Sequence, residues 1–137
     1  MDVEKTEGDL SVRSIVTVGM ENALRVGDPV PQTQPIGTIN LLCLISVPLT
    51  ECAFLEAMSI AVEARTAVVL ESHIPSFQTG FRATGTGTDC IVIAAPARPA
   101  QSPLEYAGKH TPVGSLIGRS VLEVMKQGLM RISQLIT

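Results

Sequence analysis

The feature that most constrains the fold is an apolar run at residues 37–47, GTINLLCLISV, which ends at Pro48. A continuous run of this kind predicts a strand that is buried on both faces, or on one face with a helix over it. Thr50 is a suitable N-cap for a helix over residues 51–71. The apolar stripe of this helix recurs at spacings of three and four and consists of Ala53, Ala57, Ala61, Ala64 and Val68, widened by Phe54, Met58 and Val62.

The other segments complete the predicted fold class. Residues 12–18 are rich in β-branched residues and predict a strand, and residues 90–95 predict a short buried strand. Thr111 followed by proline predicts the start of a second long helix over 112–134. Residues 1–10 are expected to be a frayed start. The prediction is one domain over 1–137 of the α/β (or α+β) class, a layered sheet with two long helices in the order β-β-α-β-α.

Composition excludes several classes of protein. Aromatic residues make up 3% of the chain, which contains 10 basic residues and 13 acidic ones. This combination disfavours both a stacking platform and a basic stripe, so no nucleic-acid partner is expected. No apolar run approaches the roughly 20 residues of a membrane span, and the first ten residues lack a signal-peptide core, which predicts a cytoplasmic protein without a membrane partner. Two histidines and three cysteines without ligand spacing predict free buried thiols, no metal site and no cofactor.

The strongest candidate for chemistry is the segment 84–89, TGTGTD, directly before the strand at 90–95. Glycines let a ligand approach the backbone, threonines supply donors, acceptors and a possible nucleophile, and the aspartate supplies a carboxylate. The segment matches neither of the common phosphate-binding glycine patterns. The plain alternative is a tight turn. The candidate residues in this segment are Thr84, Gly85, Thr86, Gly87, Thr88 and Asp89.

A second candidate is the segment 106–111, YAGKHT, at the start of the last helix. His110 can act as a general acid or base there, and the helix N-terminus offers free N–H groups. The alternative is an ordinary surface histidine. Glu63 could support a catalytic residue or be a solvated helix position. Asn22 and Asn40 could bind amides or make local hydrogen bonds at strand edges.

Five segments in this order resemble the adenosylcobinamide amidohydrolases, the CbiZ-type proteins of corrinoid salvage. They are GMENALRVGDP at 19–29, GTIN at 37–40, LT at 49–50 with EART at 63–66, TGTGTD at 84–89, and YAGKHT at 106–111 with Gly114 and Gly118. The resemblance implies a hydrolase of a linear amide bond, which cleaves the aminopropanol amide of adenosylcobinamide to give adenosylcobyric acid. It also implies that the family domain extends further towards the N-terminus, so this chain is expected to lack part of it. The expected remedy is a homo-oligomer, and the alternative is a partner that supplies the missing half.

The resemblance implies that the candidate residues take part in amide hydrolysis. This reaction needs a nucleophile, a stabilised oxyanion and a protonated leaving amine. His110 is the candidate acid or base, oriented by Asp89 or Glu63, and Thr86 or Thr88 is the candidate nucleophile or water-positioning group. The candidate groups for substrate binding are Asn22, Asn40, Thr84, Gly85, Gly87 and Thr111. Two alternatives stay open: a non-catalytic corrinoid-binding or interaction module, and an unrelated amidase with a threonine nucleophile.

Overall fold

The computed structural model of the protein describes residues 1–33, 35–97 and 102–136. Within these residues, a four-stranded sheet and a two-stranded sheet are combined with two long helices. The elements are β1 Asp2–Glu7, β2 Leu10–Val18, β3 Ala23–Leu24, β4 Ile39–Ile45, α1 Glu51–Glu71, β5 Gly85–Thr86, β6 Cys90–Ala94 and α2 Pro112–Ile136. The predicted class and the order of the long elements are confirmed.

The main sheet has the strand order β1-β2-β4-β6. The β1–β2 and β2–β4 pairs are antiparallel, whereas β4 and β6 are parallel and are connected through α1. A parallel pair needs such a crossover, because its second strand must start at the same end as the first. As a result α1 runs in the direction opposite to β4 and β6.

The N-terminal segment corrects one prediction, since residues 2–7 are a strand and not a frayed start. β1 pairs with β2 along its whole length, and Gly8 makes the turn between them in the left-handed region, with φ at 58°. Val3 is buried and α2 packs over both strands. The charged sequence of β1 is therefore stabilised by pairing and by one buried side chain.

The core lies between the sheet and the helices. Ile39, Leu41, Cys43 and Ile45 alternate along β4 and are buried, whereas Leu44 on the opposite face is exposed. Of the two alternatives for the apolar run, burial on one face with a helix over it is the one observed. Buried residues of α2 complete the core, among them Val113, Leu116, Ile117, Val121, Val124 and Met125.

Both helix starts follow the predicted caps. Thr50 Oγ1 accepts a hydrogen bond of 3.2 Å from Ala53 N, and Thr111 Oγ1 accepts one of 3.1 Å from Gly114 N. The alanine stripe of α1 is buried as predicted, but Val62 is exposed, so its assignment to the core is wrong.

All three cysteines are free, as predicted, but only Cys43 is buried, and Cys52 and Cys90 are exposed. Burial raises the pKa of the Cys43 thiol. In the part of the chain that the structure describes, no helix is long and apolar enough to cross a membrane, and no three His, Cys, Asp or Glu side chains cluster as a metal site would require.

Candidate functional site

Three loops meet at one end of the sheet, where β2 ends and where β4 and β6 begin. They are residues 19–22, 37–38 and 84–89, which belong to three of the five segments singled out in the sequence. Hydrogen bonds join the three loops: Gly19 N to the Thr38 carbonyl (2.8 Å), Gly87 N to the Asn22 carbonyl (3.2 Å) and Thr88 Oγ1 to the Gly37 carbonyl (3.0 Å). The topology thus gathers segments that lie far apart in the sequence.

The two-stranded sheet holds the loop 84–89 from its other side. β3 pairs antiparallel with β5, so that Ala23 faces Thr86 and Leu24 faces Gly85. The chain after β3 is braced by Asp28, which accepts hydrogen bonds from three groups: Arg25 N (2.8 Å), Ser76 Oγ (2.5 Å) and Thr79 Oγ1 (2.9 Å). These hydrogen bonds, with that from Ser76 foremost, hold the pKa of Asp28 below its usual range.

Asp89 is the centre of the hydrogen-bond network in this loop. Its Oδ1 accepts hydrogen bonds from Thr86 N at 3.1 Å and from Thr86 Oγ1 at 2.5 Å. Its Oδ2 accepts one of 2.6 Å from Arg65 Nη1, which also donates to the Thr84 carbonyl at 2.7 Å. The side chains of Arg65 and Asp89 are only 11% and 13% exposed, so the ion pair is largely shielded from water.

Arg65 is the residue of this network that was missed in the sequence. A signal was present, because Arg65 follows Ala64 of the buried stripe and an arginine at the edge of a buried face requires an acidic partner. The identity of that partner was not visible, since α1 could have met a carboxylate from any neighbouring element.

Gly85 has a packing role in the network. A Cβ atom at this position would lie 2.0 Å from Arg65 Nη1 and 2.2 Å from Asp89 Oδ2. Only glycine lets the backbone pass this close to the ion pair, so Gly85 shapes the loop around these two side chains.

A cavity of about 450 Å³ lies between α1 and the two-stranded sheet, and the Asp89 network forms part of its wall. Its size falls in the usual range of small-molecule sites, roughly 300–1,000 Å³. Both apolar and polar side chains line it: Leu24, Arg25, Val26, Val62, Arg65, Thr66, Thr84, Thr86 and Asp89. The wall can therefore contact apolar parts of a ligand and also donate hydrogen bonds to its polar groups.

Thr88 and Asn22 tie the loops together. Thr88 Oγ1 contacts Thr38 Oγ1 and receives a hydrogen bond of 3.4 Å from Asn22 Nδ2. Asn22 is buried, and its Oδ1 has no hydrogen-bond partner among residues 1–33, 35–97 and 102–136. Asn40 lies apart from both on the outer face of the main sheet, where its Nδ2 donates to Thr17 Oγ1 at 3.0 Å.

His110 and Glu63 lie at a different place. His110 is exposed beside the first turn of α2, and the described residues give it no hydrogen bond or ion pair. Glu63 accepts hydrogen bonds of 2.7 and 2.9 Å from Lys109 Nζ. Because residues two apart on a helix point about 200° from each other, Glu63 and Arg65 leave α1 on nearly opposite sides. The structure thus separates the predicted site residues into two groups, and no described hydrogen bond joins His110 to Asp89.

Comparison with known proteins matches residues 2–136 to the family described as adenosylcobinamide amidohydrolase, CbiZ. An uncharacterized protein of Methanocaldococcus jannaschii is 33% identical over 106 residues, which are 77% of this chain and 40% of that protein. The adenosylcobinamide amidohydrolase of Methanosarcina mazei is 30% identical over 100 residues, 68% of this chain and 46% of that protein. That of Halobacterium salinarum is 30% identical over 101 residues, 74% of this chain and 39% of that protein.

The chain thus spans less than half the length of these relatives. No solved structure matches it at a significant level. The family match covers nearly every residue of the chain and agrees with the resemblance seen in its five segments. This chain belongs to the adenosylcobinamide amidohydrolase family.

Proposed function

We propose that the protein is an amidohydrolase of corrinoid salvage, which cleaves the aminopropanol amide of adenosylcobinamide to release adenosylcobyric acid. The observation that carries the proposal is the family match over residues 2–136. Two relatives of the chain bear this enzyme name. The hydrogen-bonded loop 84–89 beside a cavity of suitable size supports it.

Thr86 is the proposed nucleophile or water-positioning group. Its hydroxyl donates to Asp89 Oδ1, and a carboxylate that accepts this proton makes the oxygen more nucleophilic. As nucleophile, Thr86 Oγ1 would attack the amide carbon and pass its proton to Asp89. Protonation of the amine would then break the C–N bond of the tetrahedral oxyanion, release aminopropanol and leave an ester on Thr86, which a water molecule would hydrolyse to the free acid. As a water-positioning group, Thr86 would hold the water that attacks the amide carbon and gives the acid directly. Thr88 is the weaker candidate, because its hydroxyl donates to the Gly37 carbonyl inside the loop contact.

Arg65 and the loop backbone are proposed to prepare the site for this step. Arg65 occupies Asp89 Oδ2 and leaves Oδ1 to Thr86, so the carboxylate has a defined orientation. Thr84 and the backbone around Gly85 and Gly87 are proposed to contact the substrate amides. Asn22 is proposed to hold this loop against a bound ligand, since its Nδ2 donates to Thr88 Oγ1, while its buried Oδ1 has no partner among the described residues.

His110 is proposed as the general acid for the leaving amine, and the start of α2 at Thr111 as a place for corrin amides. The exposure of His110 and its position at a helix N-terminus support its role as an acid. Asp89 is not proposed to orient His110, because both oxygens of its carboxylate already accept hydrogen bonds from Arg65 and Thr86. His110 and Thr86 must both reach the same C–N bond, so this role requires that the segment 106–111 moves towards the loop 84–89 when the substrate binds. Asn40 on the outer sheet face is left as a peripheral contact.

The test is an assay of aminopropanol release from adenosylcobinamide by mass spectrometry, combined with a binding titration that follows the corrinoid spectrum. The expected result is release by the natural chain and its loss in Thr86→Val and Asp89→Asn. Thr6→Val, on the exposed edge of β1, is the matched control and should keep full turnover. Binding without release would favour the alternative, a corrinoid-binding module without activity. If the chain neither binds adenosylcobinamide nor releases aminopropanol, both functions are contradicted.

A further inference from the structure

The two edges of the main sheet differ in charge. β1 forms one edge, and four of its six residues are charged: Asp2, Glu4, Lys5 and Glu7. β6 forms the other edge, with the sequence CIVIA, and in the described part of the chain it pairs only with β4. Charged side chains protect an edge strand from pairing with another chain, whereas an uncharged apolar edge invites it. The sheet is therefore protected at β1 and open at β6.

The helix above this open edge also has an uncharged surface. Cys52, Leu55, Ser59, Val62 and Thr66 follow one another at spacings of three and four along α1, and the last two also line the cavity beside the Asp89 network. Leu55 is 73% exposed and Val62 is 36% exposed. A solvated helix face normally carries charged residues, so this stripe has the character of a contact surface.

Standard helix and strand geometry, applied from the Arg65–Asp89 contact, places the centres of β6 and of the stripe at about the same level. The contact between Arg65 and Asp89 fixes the position of α1 along β6. From Asp89 to Val92, the middle of β6, the strand rises by about 10 Å. α1 runs in the direction opposite to β6, so the same level is reached by going back along α1 from Arg65. A distance of about 10 Å along a helix is six or seven residues, which ends near Ser59. Ser59 is also the middle of the stripe.

We propose that this flank is the interface between two copies of the chain, related by a two-fold axis near Val92 and Ser59. β6 would pair antiparallel with β6 of the second copy and join the two main sheets. The two α1 helices would lie side by side, with Leu55 of one copy next to Val62 of the other, so the second copy would border the cavity that Val62 lines. A second copy suits this flank because a two-fold axis sets each surface against itself, and a surface without charge meets no like charge there.

The first experiment measures the mass of the chain in solution by sedimentation velocity between about 1 and 100 µM, a range that covers micromolar dissociation constants. A dimer is expected. Leu55→Arg and Val92→Arg should each raise the dissociation constant tenfold or more, as central interface residues do. Thr6→Arg is the matched control, since Thr6 is exposed on β1, at the opposite edge of the main sheet. Circular dichroism verifies that each variant is folded.

The second experiment tests the strand pairing by cross-linking. Antiparallel pairing centred on Val92 sets Cys90 of one copy opposite Ala94 of the other, at a Cβ separation that a disulfide can bridge. In a Cys52→Ser background, Ala94→Cys should give a covalent dimer on oxidation, and adding Cys90→Ser should abolish it. A monomer at the highest concentration, a dimer unaffected by Leu55→Arg and Val92→Arg, or a dimer that fails to cross-link would overturn the proposal.

Discussion

Arg65 in α1 and Asp89 before β6 form an ion pair of 2.6 Å that is largely buried. The pair joins the crossover helix to the start of the strand that follows it, and it orients the carboxylate towards Thr86. One contact therefore sets both the packing of α1 on the sheet and the geometry of the loop 84–89.

Arg65→Met should destabilise the protein strongly, because it leaves the Asp89 carboxylate buried without its cation. Loss of one member of a buried pair typically costs about 3–5 kcal/mol. Urea unfolding followed by circular dichroism measures the change. Arg13→Met is the control, since Arg13 pairs with Asp2 on the surface and should matter little. Equal losses in the two variants would show that the Arg65 pair has no special role.

Gly85→Ala should disrupt the same pair from the backbone side. The added Cβ would lie 2.0 Å from Arg65 Nη1, so either the guanidinium or the loop must move. We expect reduced stability and loss of aminopropanol release. In an Arg65→Ala background the same change should cost less, because one of the two clashing groups is gone. A double-mutant cycle by urea unfolding measures this coupling, and additive costs would contradict the steric explanation.

Gly114→Ala and Gly118→Ala should have opposite effects although both lie in the first turns of α2. A Cβ at Gly114 would lie 2.1 Å from the Gly108 carbonyl oxygen, whereas one at Gly118 would have its nearest atom 3.9 Å away. Gly114→Ala should therefore destabilise the protein. Gly118→Ala should stabilise it by up to about 1 kcal/mol, from helix propensity alone. Thermal unfolding of the two variants compares them directly, and a loss at Gly118 would indicate a tighter helix contact than observed.

Stability should fall in acid through Asp28. Its pKa is lowered in the folded state, chiefly by the hydrogen bond from Ser76, so the unfolded chain takes up the proton first. The contribution is then present above the ordinary carboxyl pKa and is lost as pH falls through the lowered value. Ser76→Ala and Asp28→Asn should each flatten the decline of the unfolding midpoint below about pH 4, where free aspartates titrate. An unchanged decline in both variants would refute this assignment.

Much of the fold could be predicted from local signals. α1 has the predicted bounds, 51–71, because Thr50 caps it and an alanine stripe defines its buried face. The start of α2 follows equally from Thr111 and Pro112. Residues 84–89 were singled out by their glycine and threonine content, and they do form the loop around Asp89.

What could not be predicted depends on contacts across the sheet. β1 is too charged to read as a strand on its own, and its pairing with β2 stabilises it. The separation in space of His110 and Asp89 follows from the way in which α1 and α2 pack, which no local pattern contains.

The amino-acid sequence alone predicts where the helices begin, most of the residues they bury and which family the chain resembles, because caps, periodicity and motifs are properties of neighbouring residues. The contact of Arg65 with Asp89 becomes visible only in the fold, and so does the uncharged edge of β6, which pairs only with β4 among the described residues. Both depend on the crossover from β4 through α1 to β6. The crossover brings together residues far apart in the chain, and their mutual distance is set by packing and not by sequence spacing.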